Sequence, residues 1–179
     1  MPISPLPLVP IGLSWSSSSS SANAVVPGLL QTRAYALAIH QAREMRSSSD
    51  EIEGMVEARI QRQHILRRDP ALHLWVVLDE AVLRRDVAGE AVMAEQMAHL
   101  HDMAQIPNVD IQVLPFTAGA HAAGTGHFVI LGKDDERNPL NSMAVVYIEM
   151  RRRGLYLDDA EDVGSYLCFP SQLMRGPPL

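Results

Sequence analysis

Apolar residues recur at helical spacing from Pro27 onward. Leu30, Ala34, Leu37, Ala38, Ala42 and Met45 fall on one stripe and predict a helix that stops in Arg46-Ser47-Ser48-Ser49. Ser48 and Glu51 then stand in capping-box spacing, in which each side chain satisfies an orphan backbone donor of the next helix. The stripe of that second helix is Ile52, Met55, Val56, Ile60 and Leu66, and two polar residues, Arg59 and Gln63, share it. A guanidinium turned inward must find partners, because desolvating it alone costs several kcal/mol. The spacing therefore predicts a buried carboxylate beside Arg59, with Glu80 and Glu149 as the candidates.

After Asp69-Pro70, the run Leu72 to Leu78 predicts a buried strand ending on Asp79-Glu80, followed by a short turn through Ala81-Val82-Leu83. A third helix follows Gly89, with Met93, Gln96, Met97, Leu100, Met103 and Ala104 on one face. Val109, Ile111 and Val113 alternate with Asp110 and Gln112, the period of a half-buried strand, and Pro115 closes it. Residues 117–127 form a loop of small residues that serves either as a flap or simply as a long turn. Further strands are predicted at Phe128–Leu131, Met143–Met150 and Leu155–Leu157. A last helix starts near Asp158, with Glu161 at box-like spacing, and Pro170 is expected to kink or end it. This order predicts an α+β fold: one antiparallel or mixed sheet covered by helices, with a helical N-terminal part and a strand-rich C-terminal part. Residues 1–24, Pro-rich and then Ser-rich, predict a flexible arm, since the run Ser16 to Ser21 has little to bury. Residues 25–179 are expected to form a single domain.

Composition narrows the partners. The net charge of -6 disfavours a direct nucleic-acid binder, which needs a clustered basic face; Arg151-Arg152-Arg153 reads as a turn. No stretch reaches the roughly 18 apolar residues that span a bilayer. Ala22-Asn23-Ala24 resembles a cleavage site. The first twenty residues, however, lack Lys and Arg and are broken by Pro2, Pro5, Pro7 and Pro10, so a cytoplasmic protein is expected. The lone Cys168 excludes an internal disulfide and reads as a small core hydrophobe.

Specific chemistry is sparse. His99 and His101 point to different helix faces, and His121 and His127 lack a spaced Cys or carboxylate, so no metal is expected. Gly119, Gly124 and Gly126 lead into a strand, not a helix N-terminus that holds phosphate, and no cofactor is expected. What stands out is polar residues lodged in apolar elements: Arg59, Gln63, Glu80, and Tyr147 with Glu149 on one strand face. They are either a structural Arg–Glu network tying helix to sheet or the polar groups of a ligand pocket. Such a pocket is expected between the second helix and the sheet, lined by Gln63, Tyr147 and Glu149 and covered by the loop that carries His121.

Several signatures in fixed order resemble a known family. They are Val26-Pro27-Gly28-Leu29-Leu30-Gln31-Thr32 with Tyr35-Ala36; Arg59, Arg62-Gln63 and Leu66; and Leu78-Asp79-Glu80-Ala81-Val82-Leu83-Arg84. Val113-Leu114-Pro115-Phe116, Gly119-Ala120-His121 and Val146-Tyr147-Ile148-Glu149 follow. Over about residues 25 to 175 the chain resembles the C-terminal effector domain of actinobacterial XRE-type helix-turn-helix regulators, an antitoxin-like class. The resemblance implies a domain that senses a small molecule or a small partner protein. Its relatives carry a DNA-reading domain ahead of this region. Residues 1–24 leave no room for one, so a standalone effector without direct DNA binding is expected. Arg59, Gln63, Glu80, His121, Tyr147 and Glu149 are its candidate ligand-binding residues, and a homodimer is left open. The alternative is a cofactor-independent enzyme of specialised metabolism, a cyclase or isomerase, in which His121 and Glu149 supply the acid and the base.

Overall fold

The computed structural model describes residues 17–22, 25–119, 128–133, 143–149 and 154–173. Its strands are β1 (Ser17–Ala22), β2 (His73–Asp79), β3 (Val109–Leu114), β4 (Phe128–Lys133), β5 (Met143–Glu149) and β6 (Gly154–Leu157). Its helices are α1 (Arg33–Arg43), α2 (Ser49–Arg62), α3 (Glu80–Arg84), α4 (Glu90–Met103) and α5 (Ala160–Leu173). The strands make one six-stranded mixed sheet in the order β3-β2-β1-β4-β5-β6. β1, β2 and β3 run parallel, and β4, β5 and β6 continue from β1 in antiparallel pairs. The fold is α+β, as the order of elements predicts.

One expectation is corrected at the centre of the sheet. Ser17–Ala22, nearly the whole of the serine run, is strand β1, paired with β2 on one side and β4 on the other. No hydrophobic alternation announces it. Its order is tertiary: two neighbouring strands offer their ladders to its backbone, and both sides of the segment are hydrogen-bonded.

Parallel neighbours need crossovers. α1 and α2 carry the chain from β1 to β2, while α3 and α4 carry it from β2 to β3. Tyr35 and Ile39 of α1 and Leu100 and Met103 of α4 join Leu74, Val76 and Leu78 in one core, so these crossovers cover one sheet face. On the other face, Val163 and Tyr166 of α5 pack with Val77, Phe128, Ile130 and Val146. Phe128 and Tyr166 meet edge to face, with ring centroids 4.9 Å apart. A third cluster, Ala36, Ile52 and Val56, joins α1 to α2.

Local details correct the sequence reading at the first and last helices. The first helical stretch is broken. Gly28–Leu30 is a single 3₁₀ turn, and Thr32 starts a new helix by accepting the Tyr35 N–H on its hydroxyl. That break rotates the phase of α1, so Tyr35, Ala36, Ile39 and His40 are buried and Met45 is 85% exposed. The last helix begins under Asp159, whose carboxylate accepts the Glu161 N–H at 2.9 Å, and it extends past Pro170 to Leu173. The capping box of α2 forms as its spacing predicts: Ser48 N–H donates to Glu51 Oε2 at 2.7 Å, and Glu51 N–H to Ser48 Oγ at 3.3 Å.

Candidate functional site

Strand direction brings the marked sequence motifs to one edge of the sheet. Register pairs Ala22 with Leu78 and Asp79 with Leu114, so β1, β2 and β3 end together. β4 starts at the same edge, because Phe128 pairs with Ser21. β5 ends there, because Tyr147 pairs with Val129. This carboxyl edge is where open parallel sheets hold ligands, since loops diverge there from a rigid frame.

The loop after β1 is fixed by side chains on the helices. Gln96 of α4 is fully buried, and its carboxamide grips the loop like a strand partner. Its Oε1 accepts the Thr32 N–H at 2.8 Å and its Nε2 donates to the Leu30 carbonyl at 2.7 Å. Gln31, only 1% exposed, donates from Nε2 to the Val26 carbonyl at 2.6 Å and accepts Arg59 Nη1 on Oε1 at 2.8 Å. Gln63 donates from Nε2 to the Gln31 carbonyl at 2.7 Å and to the Gly28 carbonyl at 3.3 Å. The Val26 N–H donates to the Tyr35 hydroxyl at 3.2 Å, and burial pushes that hydroxyl above its ordinary pKa. The segment Val26–Thr32 is thus held by glutamines and an arginine that reach main-chain and amide groups, which buried loops require.

Arg59 Nη1 donates to Gln31 Oε1, while Glu80, one of the two carboxylates expected beside it, is engaged by Arg84 and the Phe116 amide; the side chain of the other, Glu149, lies outside the described residues. Glu80 opens α3, and its Oε2 accepts the Phe116 N–H at 2.8 Å while its Oε1 accepts Arg84 Nε at 2.5 Å. Those two donors, the Phe116 amide first, hold its carboxyl below the usual carboxylate range. Glu80 therefore ties the turn after β2 to the turn after β3. Phe116 itself is 59% exposed, with the Arg84 guanidinium 6.0 Å from its ring centroid. Gly119, at φ +67, ends this turn in a backbone conformation that favours glycine.

Tyr147 lies in one cross-strand row with Val129, Ser20 and Val76, hence on the sheet face that α1 and α4 cover over β2. Its ring leans over Gly154, where a Cβ would come within 2.2 Å of Cε2, and sits 4.9 Å from the Tyr156 ring. The Glu149 side chain and all of His121 lie outside the described residues. Leu114 and Phe128, which bound the segment containing His121, both stand at the carboxyl edge.

The structure brings Arg59 and Gln63 together against the loop after β1 and ties Glu80, at the start of α3, to the turn after β3. Sequence reasoning missed Gln31, Thr32 and Gln96. Gln96 gave the same signal as Gln63: an amide within an apolar helical stripe.

No helix among the described residues is long and apolar enough to cross a membrane. No curated protein matches the chain, and no solved structure does. One family does match, over residues 17–173, from the first residue of β1 to the last of α5, and it is described as a domain of unknown function (DUF5753). The chain belongs to the DUF5753 family.

Proposed function

We propose that this domain is an effector module of the kind carried by XRE-type regulators, binding a small molecule or a small partner protein at the carboxyl edge of its sheet. The observation that carries the reading is the tie made by Glu80. One carboxylate holds the Phe116 amide and the Arg84 guanidinium, so the loops after β2 and β3 are fixed relative to each other beside an exposed aromatic ring. A preformed rim with an exposed aromatic and a cation is suited to recognition. Acid–base work suits it less, because a carboxyl held below its ordinary range stays ionised at neutral pH and is a poor proton donor. The net charge of -6 argues against contact with DNA by the domain itself.

Hydrogen exchange on the whole chain tests this. The chain is mixed first with the small-molecule fraction of a cell extract and then with its protein fraction. The expected result is protection of residues 79–84, 115–119 and 147–149 by one fraction, lost in Phe116→Ala. Protection confined to other regions would overturn the location, and conversion of an added metabolite would replace the binding reading with an enzymatic one.

A further inference from the structure

Arg84 is held at one end of its guanidinium and open at the other. Glu80 divides its carboxylate oxygens, taking Arg84 Nε on Oε1 at 2.5 Å and the Phe116 N–H on Oε2 at 2.8 Å. Among the described residues, neither Nη1 nor Nη2 of Arg84 has a hydrogen-bond partner, and the side chain is 69% exposed. The exposed Phe116 ring stands beside it, with its centroid 6.0 Å from the guanidinium carbon. That distance is the outer limit of a cation–π contact, so the ring keeps surface for another group.

An exposed arginine ordinarily loses side-chain freedom when it binds, and that loss weakens the contact. Here Glu80 already restrains the guanidinium, whose two outward Nη groups match the spacing of a carboxylate. The surrounding charge limits the ligand further. Asp79 and Asp86 flank α3 in the chain and are fixed in their own turns, Asp79 Oδ1 by the Ala81 N–H at 2.7 Å and Asp86 Oδ1 by the Gly89 N–H at 2.5 Å. With Glu80 they would repel a phosphate dianion more than a monoanion. We propose that Arg84 and Phe116 together bind a carboxylate monoanion that carries a flat apolar group. The Arg84 Nη groups donate to its oxygens, and its apolar part lies on the Phe116 ring. This deepens the reading of the carboxyl edge as a recognition site and rests on it. Such a carboxylate belongs either to a free aromatic acid or to the C-terminus of a peptide that ends in an aromatic residue.

The experiment is a nuclear magnetic resonance titration of the isotope-labelled full chain at constant ionic strength, following Arg84 Nε–H and the Phe116 N–H. The probes are phenylacetate, acetate, benzyl alcohol and the dipeptide N-acetyl-glycyl-phenylalanine. Phenylacetate should shift both signals saturably, with a dissociation constant about tenfold below those of acetate and benzyl alcohol. A dipeptide that binds tighter than phenylacetate assigns the site to a peptide C-terminus, and one that binds weaker assigns it to a free acid. In Arg84→Gln phenylacetate should bind no better than benzyl alcohol, and in Phe116→Ala no better than acetate. Both positions are exposed, and circular dichroism confirms that the variants fold. Acetate or benzyl alcohol equal to phenylacetate overturns the proposal, as does binding that survives Arg84→Gln or the absence of any saturable shift. Protection of residues 79–84 and 115–119 by an extract fraction would in those cases still support the carboxyl edge as a site. Protection confined elsewhere sinks both.

Discussion

The parallel half of the sheet and the antiparallel half are stabilised by different means. In the parallel half each strand must be followed by a long crossover, and long crossovers bring main-chain groups indoors where water cannot reach them. Carboxamides answer that need. Gln96 holds Leu30 and Thr32, Gln63 holds Gly28 and Gln31, and Asn108 donates to the carbonyls of Leu66 at 3.0 Å and Leu72 at 2.7 Å. In the antiparallel half the links are shorter, and rings take the place of amides: Phe128 on Tyr166, Tyr147 on Tyr156 and over Gly154. The contrast teaches how to read a polar residue in an apolar stripe. In a protein with parallel strands it is as much a candidate for holding a crossover as for lining a site.

The sharpest break of that contrast is at Gln96. Gln96→Leu conserves volume but leaves the Thr32 N–H and the Leu30 carbonyl buried without their partner, so a loss of about 3 kcal/mol is expected in urea unfolding. Gln112→Leu, at an exposed position of β3, should stay within about 0.5 kcal/mol of wild type. Equal effects would mean that the clasp contributes nothing beyond a surface amide. In the antiparallel half the matching test is Gly154→Ala, whose Cβ would meet Tyr147 Cε2 at 2.2 Å. Displacing the ring should cost about 1–3 kcal/mol. Adding Tyr147→Ala should cancel part of that cost, and strictly additive losses would show that the ring and the glycine are not coupled.

Legibility divides along the same line. α2 and α4 were readable from their apolar stripes, α2 also from its capping box, and β2 from the apolar run Leu74–Leu78, most of which is buried. The fold class followed from the order of those elements. β1 was unreadable, since a run of serines has no period and its strand state is imposed by β2 and β4. The phase of α1 was misjudged because Thr32 restarts the helix, a cap hidden inside an apparently continuous stripe. At the candidate site, Arg59, Gln63 and Glu80 were legible as polar residues in apolar elements, but the hydrogen bonds described for Arg59 and Glu80 were not. Glu80 meets an amide 36 residues away and Arg59 an amide side chain 28 residues away, separations that no local pattern encodes.

A smaller effect should come from His99 on α4. Burial holds this imidazole below the ordinary histidine value of 6.5, against the pull of Asp102 and Glu95. The unfolded chain then takes up a proton at a higher pH than the folded one, so stability falls as pH drops from about 7 through the histidine range. Melting temperatures measured from neutral to mildly acidic pH should decline, and His99→Gln should flatten the decline. An unchanged slope would place the linked proton elsewhere.

The smallest expected effect is at Glu80, and it probes the tie between the two loops of the candidate site. Glu80 is paired in the folded state with the Phe116 N–H and with Arg84, which lower its pKa from the ordinary glutamate value of 4.5. A lowered folded pKa stabilises above the ordinary value and loses that stabilisation as pH falls through it toward the folded one. Glu80→Gln keeps an acceptor for the Phe116 amide but removes the charge, so neutral-pH stability should fall slightly, with solvent screening keeping the change modest. The wild type and the variant should converge in acid, where both carry a neutral side chain at position 80. The local readout is more telling than the global one. Exchange of the Phe116 amide should quicken in Glu80→Gln, and quicken further in Glu80→Ala, while the amides of Leu30 and Thr32 on the loop after β1 keep their protection. An unchanged Phe116 amide would mean that the turn after β3 holds its shape without Glu80, and the preformed rim proposed for recognition would lose its support.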